Sequence, residues 1–465
     1  MEQITILHTN DIHSHFENWP KIRRYLQQTK AEAESQGQTV LTFDDGDAMD
    51  RFHPLSEATN GQANIQLLNT VAYDAVTIGN NEGIGNSHAD LEALYSQANF
   101  PVVLGNLFEP DGTRPAFAQP VVYKTTPAGT RIAIIGFTAP FFLTYGPNGW
   151  LVKAVGDVLP DLLNQIAGSY DVLIMLSHLG LSTDRYLAAK YPKIDVIIGG
   201  HTHHLLEHGE LVGHTLLTAA EKYGHYVGRI QLVLNDNHQI TQQTAVAVKT
   251  STLPAEPEDD QEIANYLREG HALLAKEPVA FLPESFSIDY DGPSPLLDLG
   301  LKAIAEAGQT SASLLNAGLF LDNLPAGLIT RDTLHRLLPH PMHLMRVTLR
   351  GQDLWRLMME VEKNRMFLRH FHMVGMSFRG KIFGDIGAFG MTTNHKRQVI
   401  WNGQALRPDT LYTFTTVDHF LFIPFFPTIE IMGDNDLLFP NFLRDSLADY
   451  LAQHFPLPAN KEERP

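Results

Sequence analysis

The sequence predicts an α/β protein of more than one domain, and three observations carry that reading. Through the first half, short runs of Val, Ile and Leu bounded by Gly, Asn and Asp alternate with helical stretches, the pattern of buried strands in an α/β or mixed sheet. The length of 465 residues exceeds what one ordinary hydrophobic core organises. Past residue 250 the character changes, with a Pro-rich and acidic stretch followed by a new set of helices and strands.

In chain order the predicted strands are "ITILHTN", "TVLTFDD", "DAVTIGNN", "RIAIIGFT", "DVLIMLSH", "DVIIGGHTHH", "HTLLTAA" and "VGRIQLVL". The segment "TLPAEPEDDQEIANYLREGHALLAKEP" opens on Pro and acidic residues and then reads as a helix, which suits a connection between domains. The division expected is a domain over 1–252, a linker helix over 253–276 and a second α/β domain over 277–465. In the last, "PLLDLGLKAIAEAG" and "GQDLWRLMMEVEKN" have helical period and "LMRVTLRG" and "LYTFTTV" read as strands.

Composition narrows the function classes. With 52 acidic against 34 basic side chains the net charge is -18, which argues against a surface built for nucleic acid. An anionic ligand would then need locally supplied positive charge. The chain has no cysteine, so disulfides, thiolate metal sites and a catalytic thiol are excluded. The start "MEQITILHTNDIHSHFE" lacks a signal-peptide pattern, and apolar runs such as "IAIIGFTAPFFL" are too short to span a bilayer. A cytoplasmic protein without membrane or nucleic-acid partners is the expectation.

Five of the predicted strands end in polar clusters: Asp11 and His13, Asp44 to Asp47, Asn80 and Asn81, His178, and His201 with His203. Taken singly, each reads as a turn or a satisfied histidine. Together, at strand exits, they supply the carboxylate, amide and imidazole donors that Zn²⁺, Mn²⁺ or Fe accept without thiolate. His201 and His203, two apart, would face the same side of an extended strand.

The pieces "LHTNDIHSH", "DDGDAMDR", "GNNE", "LSHLG" and "GGHTHH" resemble, in order and approximate spacing, the calcineurin-like metallophosphoesterases, specifically the 5′-nucleotidase and UDP-sugar hydrolase family. Within that family the chain resembles the YunD-type cytosolic nucleotidases. The later "LLNAGLFLDNLPAGLITRDTLHRLLPHPMHLMRVTLRGQDL" is similar to that family's second domain. The resemblance implies a four-layer α/β/β/α sandwich followed by a smaller α/β substrate-binding domain. It implies two divalent metal ions: Asp11, His13, Asp47 and His203 would hold one, and Asp47, Asn80, His178 and His201 the other, with Asp47 bridging. The reaction implied is in-line attack of a metal-bound hydroxide on a nucleotide or nucleotide-like phosphate compound.

The chain departs from the family in both domains. The usual "GNHEFD" histidine is Asn81 here, and its acidic partner four residues after the metal asparagine is Ile84. Asn81 could still donate a hydrogen bond to a phosphoryl oxygen, but it cannot protonate a leaving group. His15, His53, His204 and His225 are the histidines considered as substitutes. In the second domain "NAGLFL" keeps Asn316 and places Leu321 where the family has an Arg, and "FIPFFPTIE" replaces a glycine turn. The base-stacking rings implied are Phe371 with Phe425 or Phe426, against the competing reading that Phe-rich strands are core. The resulting expectation is a two-metal phosphohydrolase that favours anhydrides such as nucleotide sugars, with a metal-containing nucleotide sensor or a nuclease as alternatives.

Overall fold

The computed structural model describes residues 1–375 and 378–458. They form two compact units, the first running from Met1 to Gly270 and the second from His271 onward.

Two sheets make up the centre of the first unit. One has seven strands in the order Ile240–Lys249, Tyr226–Leu234, Glu2–Thr9, Thr39–Asp44, Ala75–Val76, Val102–Val103 and Ala118–Gln119. The other has six, in the order Glu210–Val212, Thr215–Thr218, Val196–Gly199, Val172–His178, Arg131–Thr138 and Val122–Thr125. Because side chains alternate faces along a strand, a continuous apolar run buries both faces at once. Ile132, Ile134, Ile174, Leu176 and Ile198 pack with Ile4, Ile6, Leu41 and Phe43 of the other sheet in one core. Their odd-numbered neighbours Ala133, Ile135, Leu173, Met175 and Ile197 join Leu159, Leu162 and Leu187 of the helices Val155–Gln165 and Leu181–Lys190 in a second core. The helix Trp19–Ser35, burying Trp19, Ile22 and Leu26, flanks the seven-stranded sheet. The result is the four-layer sandwich.

Register brings the strand exits level. Glu2–Thr9 runs parallel to Thr39–Asp44 with Thr9 opposite Asp44, Asp44 lies opposite Val76, and Ser177 lies opposite Gly199. Ligand-binding loops gather beyond the carboxyl ends of parallel strands, and all five polar clusters leave the sheets there.

The helix Asp259–Ala275 contains the unit boundary. Its first turns are tied to the Trp19–Ser35 helix by two forked ion pairs, Arg23 to Glu262 at 2.6 and 2.8 Å and Arg24 to Asp259 at 2.5 and 2.8 Å. The second unit is a five-stranded sheet in the order Ile386–Phe389, Ser313–Asn316, Leu411–Val417, His343–Arg350 and Asp434–Phe442. The helices Pro295–Ala307, Gly351–Leu368 and Leu443–His454 contribute to one apolar core. Among the described residues no helix is long and apolar enough to cross a membrane.

Candidate metal centre

The loops leaving the first two strands zip together through their backbones. Asp11 N–H donates to the Gly46 carbonyl at 3.0 Å, His13 N–H to Asp47 at 2.8 Å and Ser14 N–H to Ala48 at 3.0 Å. The third loop presses onto them at glycines. Gly46 has a φ of +86°, and a Cβ there would lie 2.2 Å from the Gly79 nitrogen. A Cβ on Gly79 would lie 2.0 Å from the Asp47 carboxylate. Only glycine lets these three exits meet.

Five of the seven residues expected as metal ligands have left-handed backbone: Asp11 (φ 49°), His13 (50°), Asp47 (49°), His201 (68°) and His203 (55°). Such conformations are uncommon for residues with a Cβ and persist where the surroundings over-determine them, often at functional sites. They also correct the expectation for the histidine pair. The strand stops at Gly199, so His201 and His203 are not on one face of an extended strand. His201 turns to Asn80, its Nδ1 2.9 Å from Asn80 Oδ1, whereas His203 Nε2 lies 3.4 Å from Asp11 Oδ1.

The donor atoms converge in two groups, Asp11 with His13 and His203, and Asp11 with Asp47 and His178. His13 Nε2 and His203 Nε2 face each other at 3.2 Å. His178 donates its Nδ1–H to the Asp45 carbonyl at 2.7 Å, which leaves the Nε2 lone pair buried without a hydrogen-bond partner, 3.3 Å from Asp47 Oδ2 and 3.9 Å from Asp11 Oδ1. Lone pairs and carboxylates facing one another this closely need a cation between them. A proton meets the need in part: burial opposes charge on His178, but the Asp47 and Asp11 carboxylates outweigh it and hold the imidazole well above its usual range. A metal ion with ligands at about 2.1 Å matches the donor set and its spacing, so these residues fit the implied ions.

Glu82, part of the quoted "GNNE" but given no role from sequence, is the organiser of this arrangement. It is 2% exposed, and its carboxylate accepts from the N–H groups of Asp47, Gly79 and Met49 at 2.9, 2.8 and 3.0 Å. Burial, followed by the charge of Asp47, raises its pKa to about 7. The available signal was a lone acid inside an otherwise uncharged, glycine-rich turn. Arg51 clamps the same loop, donating to the Gly85 carbonyl at 2.5 Å and to Asn86 at 2.9 Å. Asp45 is fully buried, and burial raises its pKa well above the usual range.

Asn80 opens the short helix Asn80–Ile84. The backbone N–H of Asn81 donates to Asp47 Oδ1 at 2.7 Å, leaving Oδ2 turned to His178. The Asn81 amide nitrogen lies 2.9 Å from His13 Nδ1 and 3.1 Å from the Met49 carbonyl, so it is already engaged by protein rather than held open for a phosphoryl oxygen. Of the substitute histidines, His15 pairs with Glu17 at 2.6 Å and stacks on Tyr223, and His225 pairs with Glu221 at 3.1 Å. His53 accepts from Leu55 N–H at 3.2 Å and His204 lies 2.9 Å from the Thr202 hydroxyl.

In the second unit Asn316 is buried and donates to the Phe383 carbonyl at 2.7 Å. Phe426 is 1% exposed and stacks on Phe420 in the core, which leaves it no free face for a base. This corrects the choice of ring: Phe425, not Phe426, meets Phe371, edge-on at 5.2 Å, beside the exposed Phe367. Leu321 stands partly in solvent.

Residues 4–205 match the calcineurin-like phosphoesterase family and residues 276–422 match the 5′-nucleotidase C-terminal domain. The chain is 36% identical over 462 residues to the uncharacterized metallophosphoesterase YunD of Bacillus subtilis, covering 97% of this chain and 100% of that one. It is 25% identical over 231 residues to human 5′-nucleotidase, spanning 44% of this chain and 39% of that one. Among solved structures, Haemophilus influenzae NAD nucleotidase aligns over 97% of this chain and 96% of its own, at 16% identity and a TM-score of 0.66. The 5′-nucleotidase precursor of Thermus thermophilus aligns over 97% and 96%, at 18% identity and a TM-score of 0.57. A relative matched from end to end, the two domain families in the expected order and the convergent donors together establish that the chain belongs to the calcineurin-like metallophosphoesterases, hydrolases of phosphoester bonds, with a 5′-nucleotidase C-terminal domain.

Proposed function

We propose that the chain is a two-metal phosphohydrolase of nucleotides or nucleotide-like compounds that favours anhydrides over monoesters. The observation that carries the two-metal reading is that Asp47 Oδ2 lies 3.3 Å from His178 Nε2 and 3.6 Å from His13 Nε2, so that its carboxylate, like that of Asp11, faces a histidine of each donor group. Asp11, His13, Asp47 and His203 would hold one ion and Asp47, Asn80, His178 and His201 the other. Zn, Mn and Fe all suit these donors. When bound, such a pair supplies Lewis acidity and a nucleophile available near neutral pH. The chain's own residues fix the geometry: Glu82 and the Asn81 backbone hold Asp47, and the Asp45 carbonyl holds the His178 ring with Nε2 forward. In the second unit Phe371 and Phe425 meet edge-on at 5.2 Å, so the organic part of the substrate would lie against this aromatic cluster rather than between the two rings.

Substrate preference rests on positions 81 and 84. A nucleoside alkoxide is a poor leaving group and gains ~10²–10⁴-fold from an acid that protonates it. A phosphate or nucleotide expelled from an anhydride leaves as a weak base and needs little such help. Neither Asn81 nor Ile84 is an acid, so monoester cleavage should suffer more than anhydride cleavage.

The test is a metal analysis of protein purified without chelator, paired with kcat/KM at saturating Mn²⁺ for AMP, UMP, nucleoside diphosphates, dinucleotides and nucleotide sugars. Two ions per chain and higher kcat/KM for at least one anhydride are expected. AMP or UMP matching every anhydride would return the chain to ordinary 5′-nucleotidase action, and metal-loaded protein without turnover would favour a sensor.

A further inference from the structure

We propose that Asn81 is a positioning residue for His13, a role that rests on the two-metal reading above. Its amide lies 2.9 Å from His13 Nδ1, while the opposite ring nitrogen, Nε2, points at His203 Nε2 and the Asp47 and Asp11 carboxylates. A side chain at Nδ1 sets the direction in which Nε2 presents its lone pair, and such partners of metal-ligating histidines orient the ring and tune its basicity. As placed, the amide donates Nδ2–H to a bare Nδ1; a metal ion held at Nε2 puts the ring proton on Nδ1, and the amide then meets it by turning Oδ1 over and giving up its Met49 and Asn80 contacts.

With Nδ1 bare, Asn81 is held in place from several sides. Its backbone N–H is fixed by Asp47 Oδ1 at 2.7 Å, its amide nitrogen by the Met49 carbonyl at 3.1 Å, and its Oδ1 by Asn80 Nδ2 at 3.1 Å. Since Asn80 Oδ1 meets His201 Nδ1 at 2.9 Å, a line of contacts runs from His201 through Asn80 and Asn81 to His13, joining one donor set to the other. A histidine at position 81 would remove the amide from this line. The sequence change at 81 therefore substitutes an aligner of the ion site for a group aimed at the substrate.

The test measures metal binding directly. Apo wild type, Asn81→Ala and Asn81→Asp are titrated with Mn²⁺ by calorimetry and by electron paramagnetic resonance, with circular dichroism and thermal midpoints as fold controls. Wild type is expected to bind two ions. Asn81→Ala should weaken one of them by about 10–100-fold, the usual effect of removing such a partner, and leave the other within a factor of three. Asn81→Asp, whose carboxylate can accept from the Nδ1–H of a metal-ligating histidine, should restore the weakened site to within a factor of a few. Two unchanged affinities in a folded Asn81→Ala would overturn the positioning role while leaving the two-metal reading intact. An equal loss in Asn81→Ala and Asn81→Asp would overturn it as well, by assigning the effect to general disruption of the loop. Wild type that binds no Mn²⁺ would remove the two-metal reading and this inference together.

Discussion

The carboxylate of Glu82 holds the backbone of Asp47: one of its oxygens accepts the Asp47 N–H at 2.9 Å and the Gly79 N–H at 2.8 Å, and the other accepts Met49 N–H at 3.0 Å. Asp47 sits in a left-handed conformation, so its carboxylate position depends on that anchorage. Glu82→Ala should leave three buried donors unpaired, at about 1–3 kcal/mol each where no water replaces the carboxylate. Urea unfolding should show a loss of a few kcal/mol, and the folded fraction should bind less metal. Wild-type stability and stoichiometry would show that the loop is held by other means.

Gly79 and Gly156 make a matched pair. At Gly79 the backbone φ of -92° accepts any residue, but a Cβ would overlap Asp47 Oδ1 at 2.0 Å and Asp47 N at 2.5 Å. Gly79→Ala should displace the carboxylate and reduce both metal retention and phosphatase activity by more than tenfold. At Gly156, inside the helix Val155–Gln165, a Cβ meets nothing within 4 Å. Gly156→Ala should be neutral or stabilising by up to about 1 kcal/mol, with activity unchanged. The comparison of thermal midpoint with activity across the two variants checks the assignment.

Reinstating the family acid tests the leaving-group argument. In Asn81→His with Ile84→Asp, monoester kcat at saturating Mn²⁺ should rise by an order of magnitude or more, because a protonated imidazole would again stand near the leaving oxygen. The Mn²⁺ concentration needed for half-maximal rate should rise too, since the His13 contact at 2.9 Å is removed. Kinetics of UMP hydrolysis against Mn²⁺ concentration separates the two effects. A rate that does not rise at any metal concentration would count against the leaving-group explanation.

In the second unit, His340 is buried between two hydrogen bonds, Nε2 to the Leu319 carbonyl at 2.7 Å and Nδ1 accepting from Arg379 N–H at 2.9 Å. Burial lowers its pKa from 6.5 to about 3. Between those values the unfolded chain binds a proton that the folded one does not, so this residue makes stability fall as pH drops from about 6.5 toward 3. His340→Gln keeps a donor and an acceptor but cannot titrate. Its thermal midpoint should fall less steeply than that of wild type between pH 7 and 4.5. Parallel curves would assign the acid limb to other groups.

Much of the molecule is legible in the sequence because the relevant physics is local. Apolar runs such as "RIAIIGFT" and "DVLIMLSH" become strands with both faces buried, and polar residues at their ends fall where parallel strands open onto solvent. The donors at 11, 13, 47, 80, 178, 201 and 203 could be picked out as clusters at strand exits. What sequence spacing could not give is direction. His201 and His203 leave the strand in left-handed backbone and meet different partners, Asn80 and Asp11, a result of loops packing through Gly46 and Gly79 rather than of the distance of two along the chain. Phe425 and Phe426 are adjacent, yet one meets Phe371 while the other is sealed in the core, because the turn into the helix Pro427–Met432 points them to different sides. Glu82 and Asn81 gain their roles from partners 35, 33 and 68 positions away in the chain. Local composition and period thus determined the elements and the inventory of donors, whereas the aim of each side chain was decided by tertiary packing, since only the folded chain supplies the groups that orient it.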